Sequence, residues 1–400
     1  MKQSEQELAA ELGRLEASGL LRTLRALEGP QAASVQFEGR SAANFSSNDY
    51  LGLAAHPALC DAAKEAVDRF GAGAGSARLI SGNQPPHIEL EQVLAEFKGS
   101  EAALAFSSGY ATAMGVIPAL VGPGDTVVID KLSHACLVDA AKLSGAKLRV
   151  FRHNDLNSLE DRLQWASQRG ETNSNGRRSR ILIVTESVFS MDGDLAPLLN
   201  LVELKERYGA WLMVDEAHAT GIFGEHRRGL IEEFGVADRV DAQMGTLGKA
   251  LGASGGYVCG PRTLIDLLIN KARSFVFSTA PTPATAAAAR AGIELTRSDE
   301  GYARCQRLWN VVDLLKNELI RMGWSLAPVR SAIIPLIIGD EERALKVAVR
   351  LLEQGVFAPA IRYPTVARGS ARLRITASAA HEETHLRQLF AALSAGPGQS

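Results

Sequence analysis

Five apolar runs in this sequence, each followed at once by polar or glycine-rich residues, are the places where chemistry could be done. The run at 103–106 leads into Ser107-Ser108-Gly109-Tyr110, which opens a helix. A helix N-terminus offers unpaired N–H groups and the positive end of a dipole, a setting that suits a phosphate. Taken alone, the segment reads as an ordinary serine N-cap. The run at 126–129 leads to Asp130-Lys131-Leu132-Ser133-His134. A lone histidine is more often structural than catalytic, so His134 gains weight only from its place beyond a strand end. After 181–185 come Glu186-Ser187-Val188-Phe189-Ser190-Met191-Asp192-Gly193-Asp194, polar groups with a tight turn that by themselves could cap the next helix.

The run at 211–214 ends in Asp215-Glu216-Ala217-His218. An acid at the end of an apolar strand is costly unless partnered. Asp215 could pair with a protonated ring nitrogen of a cofactor. At ~4 Å and an effective dielectric of ~20 that attraction is about 4 kcal/mol. It corresponds to roughly three pKa units, enough to keep a pyridine protonated at neutral pH. The competing reading makes Asp215 and His218 two metal ligands, but no third ligand stands at a metal-site spacing, and no metal is expected. The run at 242–245 leads to Thr246-Leu247-Gly248-Lys249-Ala250-Leu251-Gly252. A lysine among small and apolar residues is partly desolvated, which lowers its pKa and favours Schiff-base chemistry. Any single lysine is by default a snorkelling surface residue. That default weakens when five strand ends supply, in order, a phosphate site, a stacking ring, hydroxyl donors, a pyridine-nitrogen partner and an amine.

The elements that would hold these groups alternate. Strands at 103–106, 126–129, 148–151, 181–185, 211–214 and 242–245 are separated by helical stretches such as 86–97 and 110–120. Several strands are apolar at consecutive positions, as where helices cover both sheet faces. The pattern predicts an α/β fold with a mostly parallel central sheet, and ligands in such sheets sit at the carboxyl ends of the strands. Before it, residues 4–27 read as a helix with Leu8, Leu12 and Leu15 on one face, and 35–37 as a short strand ended by Glu38-Gly39. The polar, turn-rich stretch 44–50 is an unlikely core segment. A long helix follows Pro283. Beyond it a smaller α+β unit is expected: strand 333–338, helix 342–354, strands 356–360 and 371–376, helix 381–393. The expected domains are an N-terminal helix and short-strand segment (1–55), a large α/β domain (56–295) and a small C-terminal α+β domain (296–400). The polar stretch 168–180 reads as an exposed loop and 396–400 as a frayed tail.

The 43 Lys and Arg residues against 45 Asp and Glu give a formal net charge of -2, which offers no reason to expect nucleic acid or an anionic membrane surface as partner. No apolar run reaches transmembrane length, and the first twelve residues lack the apolar core of a signal peptide. Cys60, Cys136, Cys259 and Cys305 are scattered without metal-ligand spacing, which fits reduced thiols in a cytoplasmic protein.

Taken together, the segments Phe45-Ser46-Ser47-Asn48-Asp49-Tyr50-Leu51-Gly52-Leu53, Leu132-Ser133-His134-Ala135, Val184–Asp194, Val214-Asp215-Glu216-Ala217-His218, Thr246-Leu247-Gly248-Lys249 and Ala371-Arg372-Leu373-Arg374-Ile375-Thr376 resemble the α-oxoamine synthase family of fold-type-I pyridoxal-phosphate enzymes. The resemblance spans about 22–385. It implies a fold-type-I transferase with pyridoxal 5'-phosphate held as a Schiff base on Lys249. His134 would stack on the ring and help proton transfer, Asp215 would pair with the ring nitrogen, and His218 would hydrogen-bond the ring hydroxyl. Glu186 and Ser190 would lie on the cofactor side, Ser190 at the hydroxyl edge. Ser108, Gly109, Tyr110 and Thr246 would hold the phosphate. Ser278 and Thr279 would reach the phosphate site of a neighbouring subunit in a homodimer. Arg374 would bind the amino-acid carboxylate, with Asn48 beside the same substrate and Arg22 near the acyl chain. The implied reaction is decarboxylative condensation of L-alanine with a pimeloyl thioester of coenzyme A or acyl carrier protein. A glycine and acetyl-CoA reaction is the alternative within the family, and a non-catalytic partner subunit is the alternative outside catalysis.

Overall fold

A computed structural model describes residues 2–169, 176 and 178–394 of the protein. Its centre is a seven-stranded sheet in the order Ala102–Phe106, Gly256–Gly260, Ala242–Thr246, Trp211–Asp215, Ile181–Glu186, Thr126–Asp130, Lys147–Phe151. Six strands run the same way. Gly256–Gly260 is antiparallel to both its neighbours, and it is the strand of this sheet that the sequence pattern does not reveal. It is a five-residue Gly-Tyr-Val-Cys-Gly segment, too short and too glycine-rich for its pattern to stand out.

Consecutive apolar residues in the strands serve two cores, because neighbouring side chains point to opposite faces. Val127, Ile129, Leu182, Val184 and Met213 pack under helices Gly109–Leu120, Ala135–Leu143 and Arg262–Lys271. Val128, Ile183, Leu212 and Val214 face helices Leu156–Gln168, Leu198–Tyr208 and Asp299–Arg321. The parallel strands therefore end together along one edge of the sheet, the edge at which the five polar segments emerge.

The last part of the chain adds an antiparallel sheet of Ile333–Gly339, Ala371–Thr376 and Ala360–Ile361, backed by helix Glu341–Glu353, while helix Glu383–Leu393 packs against Arg40–Asn44 and Val356–Phe357. The single strand expected at 356–360 is two short strands in different sheets. Val356–Phe357 pairs in parallel with Arg40–Asn44, and Ala360–Ile361 joins Ala371–Thr376. Pro359, which has no N–H to give a ladder, lies between them. The hairpin Ser34–Phe37/Arg40–Asn44 turns through Glu38 and Gly39, both at positive φ.

Two further expectations are corrected. The N-terminal helix is Gln3–Ala17, not 4–27, and stops just before Gly19 at φ 67°. None of its residues is buried, so no packing extends it beyond its local signals. The stretch 44–50 is core after all: Phe45 and Tyr50 are 0% and 1% exposed. Its polar groups are satisfied internally, the Asp49 carboxylate accepting the Leu53 and Ala54 amides at 2.7 and 3.0 Å. Most of the loop expected at 168–180, and the tail 396–400, lie outside the described residues. Among the described residues no helix is long and apolar enough to cross a membrane.

Candidate active site

Lys249 lies three residues beyond the Ala242–Thr246 strand, and Asp215 is the last residue of the strand next to it. The Lys249 amine is 2.7 Å from His218 Nε2, and His218 Nδ1 is 2.5 Å from the Tyr50 hydroxyl. Tyr50 donates to Asn48 Oδ1 at 3.3 Å, and Arg374 Nη2 donates to the same oxygen at 3.1 Å. A protonated amine can only donate, so His218 Nε2 then accepts, and its Nδ1–H donates to Tyr50. One hydrogen-bonded chain thus joins Lys249 to Arg374 across residues far apart in sequence.

Burial sets the charges here. Desolvation pulls the Lys249 amine well below the usual lysine range, against the opposing pull of Asp215 and Glu186. Desolvation likewise raises Asp215, while Lys249 and the Ala217 amide, which donates to Asp215 Oδ1 at 2.9 Å, favour its ionised form. His218 is held neutral, its pKa pushed far down by burial and then by the Lys249 charge.

His134 caps the helix Ala135–Leu143, its Nδ1 accepting the Cys136 amide at 3.2 Å. The Cys136 sulfur lies 3.0 Å from the same nitrogen. A backbone amide can only donate, so Nδ1 is an acceptor and the neutral ring carries its proton on Nε2. Glu186, buried at the end of its strand, accepts the His134 amide at 2.5 Å. Its carboxyl is raised by desolvation and by the nearby Asp215.

Ser108 caps the helix Gly109–Leu120, its hydroxyl accepting the Ala111 amide at 3.0 Å. The Gly109 and Tyr110 amides head the helix without intrahelical acceptors. A Cβ placed on Gly109 would touch Thr246, 3.8 Å away, so the serine-glycine turn and Thr246 lie side by side. Gly256 allows this closeness, since a Cβ there would stand 2.6 Å from the Gly109 nitrogen. Thr246 donates to the Gly255 carbonyl at 2.9 Å and accepts the Gly248 amide at 3.1 Å, which fixes its hydroxyl beside the lysine turn. The Tyr110 side chain turns away to donate to Asp139 at 2.7 Å.

Arg374 is buried on the Ala371–Thr376 strand, and its Nε donates to the Ser190 carbonyl at 2.6 Å. Lys249, His218, Asn48, Ser190 and Arg374 are thereby brought together. Arg22 is not among them; it is exposed and donates to Thr365 at 3.3 Å. Ser278 and Thr279 follow the exposed Phe277, and Thr279 bridges to Ala77. The sequence reading missed three parts: Tyr50 as partner of His218, Cys136 beside His134, and His153, whose ring touches Asp130 and Asp194. Only Tyr50 carried a signal, its place two residues after Asn48 in the polar 45–53 segment.

The donor set fits pyridoxal phosphate: an amine of lowered basicity, a buried acid, a histidine ring beside it, and a helix N-terminus facing a threonine hydroxyl. Comparison with known proteins agrees. The family model for aminotransferase class I and II matches residues 40–393. The chain is 49% identical over 387 residues to an 8-amino-7-oxononanoate synthase of Geobacter sulfurreducens, covering 97% of each. It is 47% identical over 391 residues to the enzyme of that name from Herminiimonas arsenicoxydans, covering 97% of this chain and 98% of that one. Among solved structures, serine palmitoyltransferase of Sphingomonas wittichii superposes with a TM-score of 0.89 at 32% identity, over 98% and 97% of the two chains. An 8-amino-7-oxononanoate synthase of Francisella tularensis superposes at 0.73 with 26% identity, over 88% and 97%. A shared fold, carried at such identity over nearly the whole length, places the chain in the aminotransferase class I and II family, in its α-oxoamine synthase branch.

Proposed function

We propose that the protein condenses L-alanine with a pimeloyl thioester, of coenzyme A or acyl carrier protein, to give 8-amino-7-oxononanoate, carbon dioxide and the free thiol, a step of biotin synthesis. The observation that carries this reading is the near-full-length identity to relatives bearing that name. Pyridoxal phosphate, when bound, supplies an aldehyde that takes up an amine and a protonated ring that stores the charge left on a deprotonated α-carbon. The chain's own residues do the rest. Ser108, Gly109, Tyr110 and Thr246 would hold the phosphate, and Asp215 would keep the ring nitrogen protonated. His218 would hydrogen-bond the ring hydroxyl, with Ser190 at the same edge. Lys249 would hold the cofactor through its amine. That amine, made a ready proton acceptor by burial, would take up the α-proton when free. Arg374, with Asn48 beside it, binds the alanine carboxylate. His134 would lie against the ring, with its proton on Nε2. Arg22 lies toward the acyl chain.

A cytoplasmic homodimer fits the same reading. All four cysteines are free, three of them buried. Ile80 and Phe277, 80% and 71% exposed, flank the Ala77–Thr279 bridge, an apolar surface left in water by one chain alone. There Ser278 and Thr279 would serve the partner's phosphate site. Sedimentation of an active monomer would exclude this sharing.

The function is tested by crossing alanine and glycine with pimeloyl and acetyl thioesters and measuring products. Turnover confined to alanine with pimeloyl thioester is expected. Preference for glycine with acetyl-CoA would replace the assignment by that of its glycine-using relative.

A further inference from the structure

His153 follows the Lys147–Phe151 strand and belongs to none of the segments that carry the proposed chemistry. Its ring lies between two carboxylates from different loops. Nδ1 is 3.0 Å from Asp130 Oδ1, and Nε2 is 2.7 Å from Asp194 Oδ2. An ionised carboxylate only accepts, so both ring nitrogens donate and the ring is an imidazolium. Burial opposes that charge, but the hydrogen bonds to Asp130 and Asp194 override it and lift the pKa to about 10. Phe189 closes the ring edge-on, with centroids 4.4 Å apart at 89°. Asn154 completes the junction, its amide donating to Asp130 Oδ2 and its side chain to Asp194 Oδ2, both at 2.9 Å.

The two acids hold the two loops that matter. Asp130 ends its strand and also accepts the Leu132 amide at 2.8 Å, two residues before His134. Asp194 closes the turn from Phe189, whose amide donates to the Asp194 carbonyl at 3.0 Å. Within that turn the Ser190 carbonyl receives Arg374 Nε at 2.6 Å, and Asp192 pairs with Arg372 at 2.6 Å.

We propose that His153 is a positioning residue: its imidazolium fastens the Phe189–Asp194 turn to the strand end before His134 and so sets the direction of the Arg374 guanidinium toward the amino-acid carboxylate. The proposal rests on the reading of Arg374 as the carboxylate-binding residue. His153 itself touches neither substrate nor cofactor.

The test uses the holoenzyme with His153→Gln, which keeps a donor but loses the charge and the second one. The KM for L-alanine is expected to rise about tenfold, the scale of one lost charge-assisted hydrogen bond, with kcat within about threefold. Asp194→Asn shifts KM the same way and serves if His153→Gln does not fold. The double variant is no worse than the more affected single one, because both act through one bond. The charge is read separately by nitrogen NMR of the histidine-labelled holoenzyme at about pH 8, where an ordinary imidazole of pKa ~6.5 is neutral. Protonation of both His153 nitrogens supports the proposal. A neutral His153 there, or a folded His153→Gln enzyme with unchanged alanine KM, overturns it. An unaltered enzyme that does not turn over alanine overturns the substrate reading instead.

Discussion

The Lys249 amine meets His218 Nε2 at 2.7 Å, and through that imidazole it reaches Tyr50 in the N-terminal segment. A residue just after the first hairpin is therefore part of the setting of a lysine about two hundred positions later.

Tyr50 is the natural place to test that chain. Tyr50→Phe keeps the buried ring but removes the acceptor for His218 Nδ1–H. The loss of one hydrogen bond, about 1.5 kcal/mol, should lower kcat/KM about tenfold. The melting temperature should move little. Unchanged kinetics in the folded variant would show that His218 is fixed by other contacts.

Asp215→Asn removes the negative charge next to the expected ring nitrogen while keeping the shape. With roughly three pKa units of support lost, kcat should fall on the order of a thousandfold. Bound cofactor should still be reducible by borohydride. A variant with near-normal kcat would separate Asp215 from the ring.

The lowered basicity of Lys249 gives a pH signature. Below its folded pKa the amine is protonated and does not attack; above it the neutral amine does. The rate at which cofactor-free protein captures pyridoxal phosphate should thus rise with pH to a midpoint below the ordinary lysine value of ~10.4. A midpoint at or above that value would contradict a desolvated amine.

Cys136 offers a test of the His134 tautomer. Its thiol and its amide both meet Nδ1, and a donor to that lone pair favours the neutral ring. Burial holds His134 below the usual histidine range, with Asp215 and Asp139 pulling it back toward the charged form and Lys249 pushing it away. Cys136→Ala should therefore raise the His134 pKa and move the acid limb of the kcat/KM profile to higher pH. Cys136→Ser should restore it. Identical profiles for all three proteins would show that the thiol has no hold on the ring.

The sheet and its lysine were legible in the sequence because period and position are local properties. Runs such as 181–185 and 211–214 read as strands buried on both faces, and the polar residues after parallel strands emerge at one edge. The parts that stayed hidden depend on long-range contact. The 44–50 segment looks exposed because its residues are polar, yet Asp49 pairs its charge with local amides and lets Phe45 and Tyr50 enter the core. His153 carries no signal in the sequence, because the fold must first bring Asp194 beside it from 41 positions away. Arg22 stayed an expectation: its guanidinium rests on Thr365, and nothing in the single chain ties it to Lys249 among the described residues.

Every role proposed for this site depends on Lys249 carrying the cofactor. The direct measurement is reduction of the purified holoenzyme with borohydride, followed by proteolysis and mass analysis of the peptide holding the pyridoxyl group. A single adduct on Lys249 is expected, with the bleached protein inactive. An adduct on another lysine, or full activity after Lys249→Ala, would contradict it.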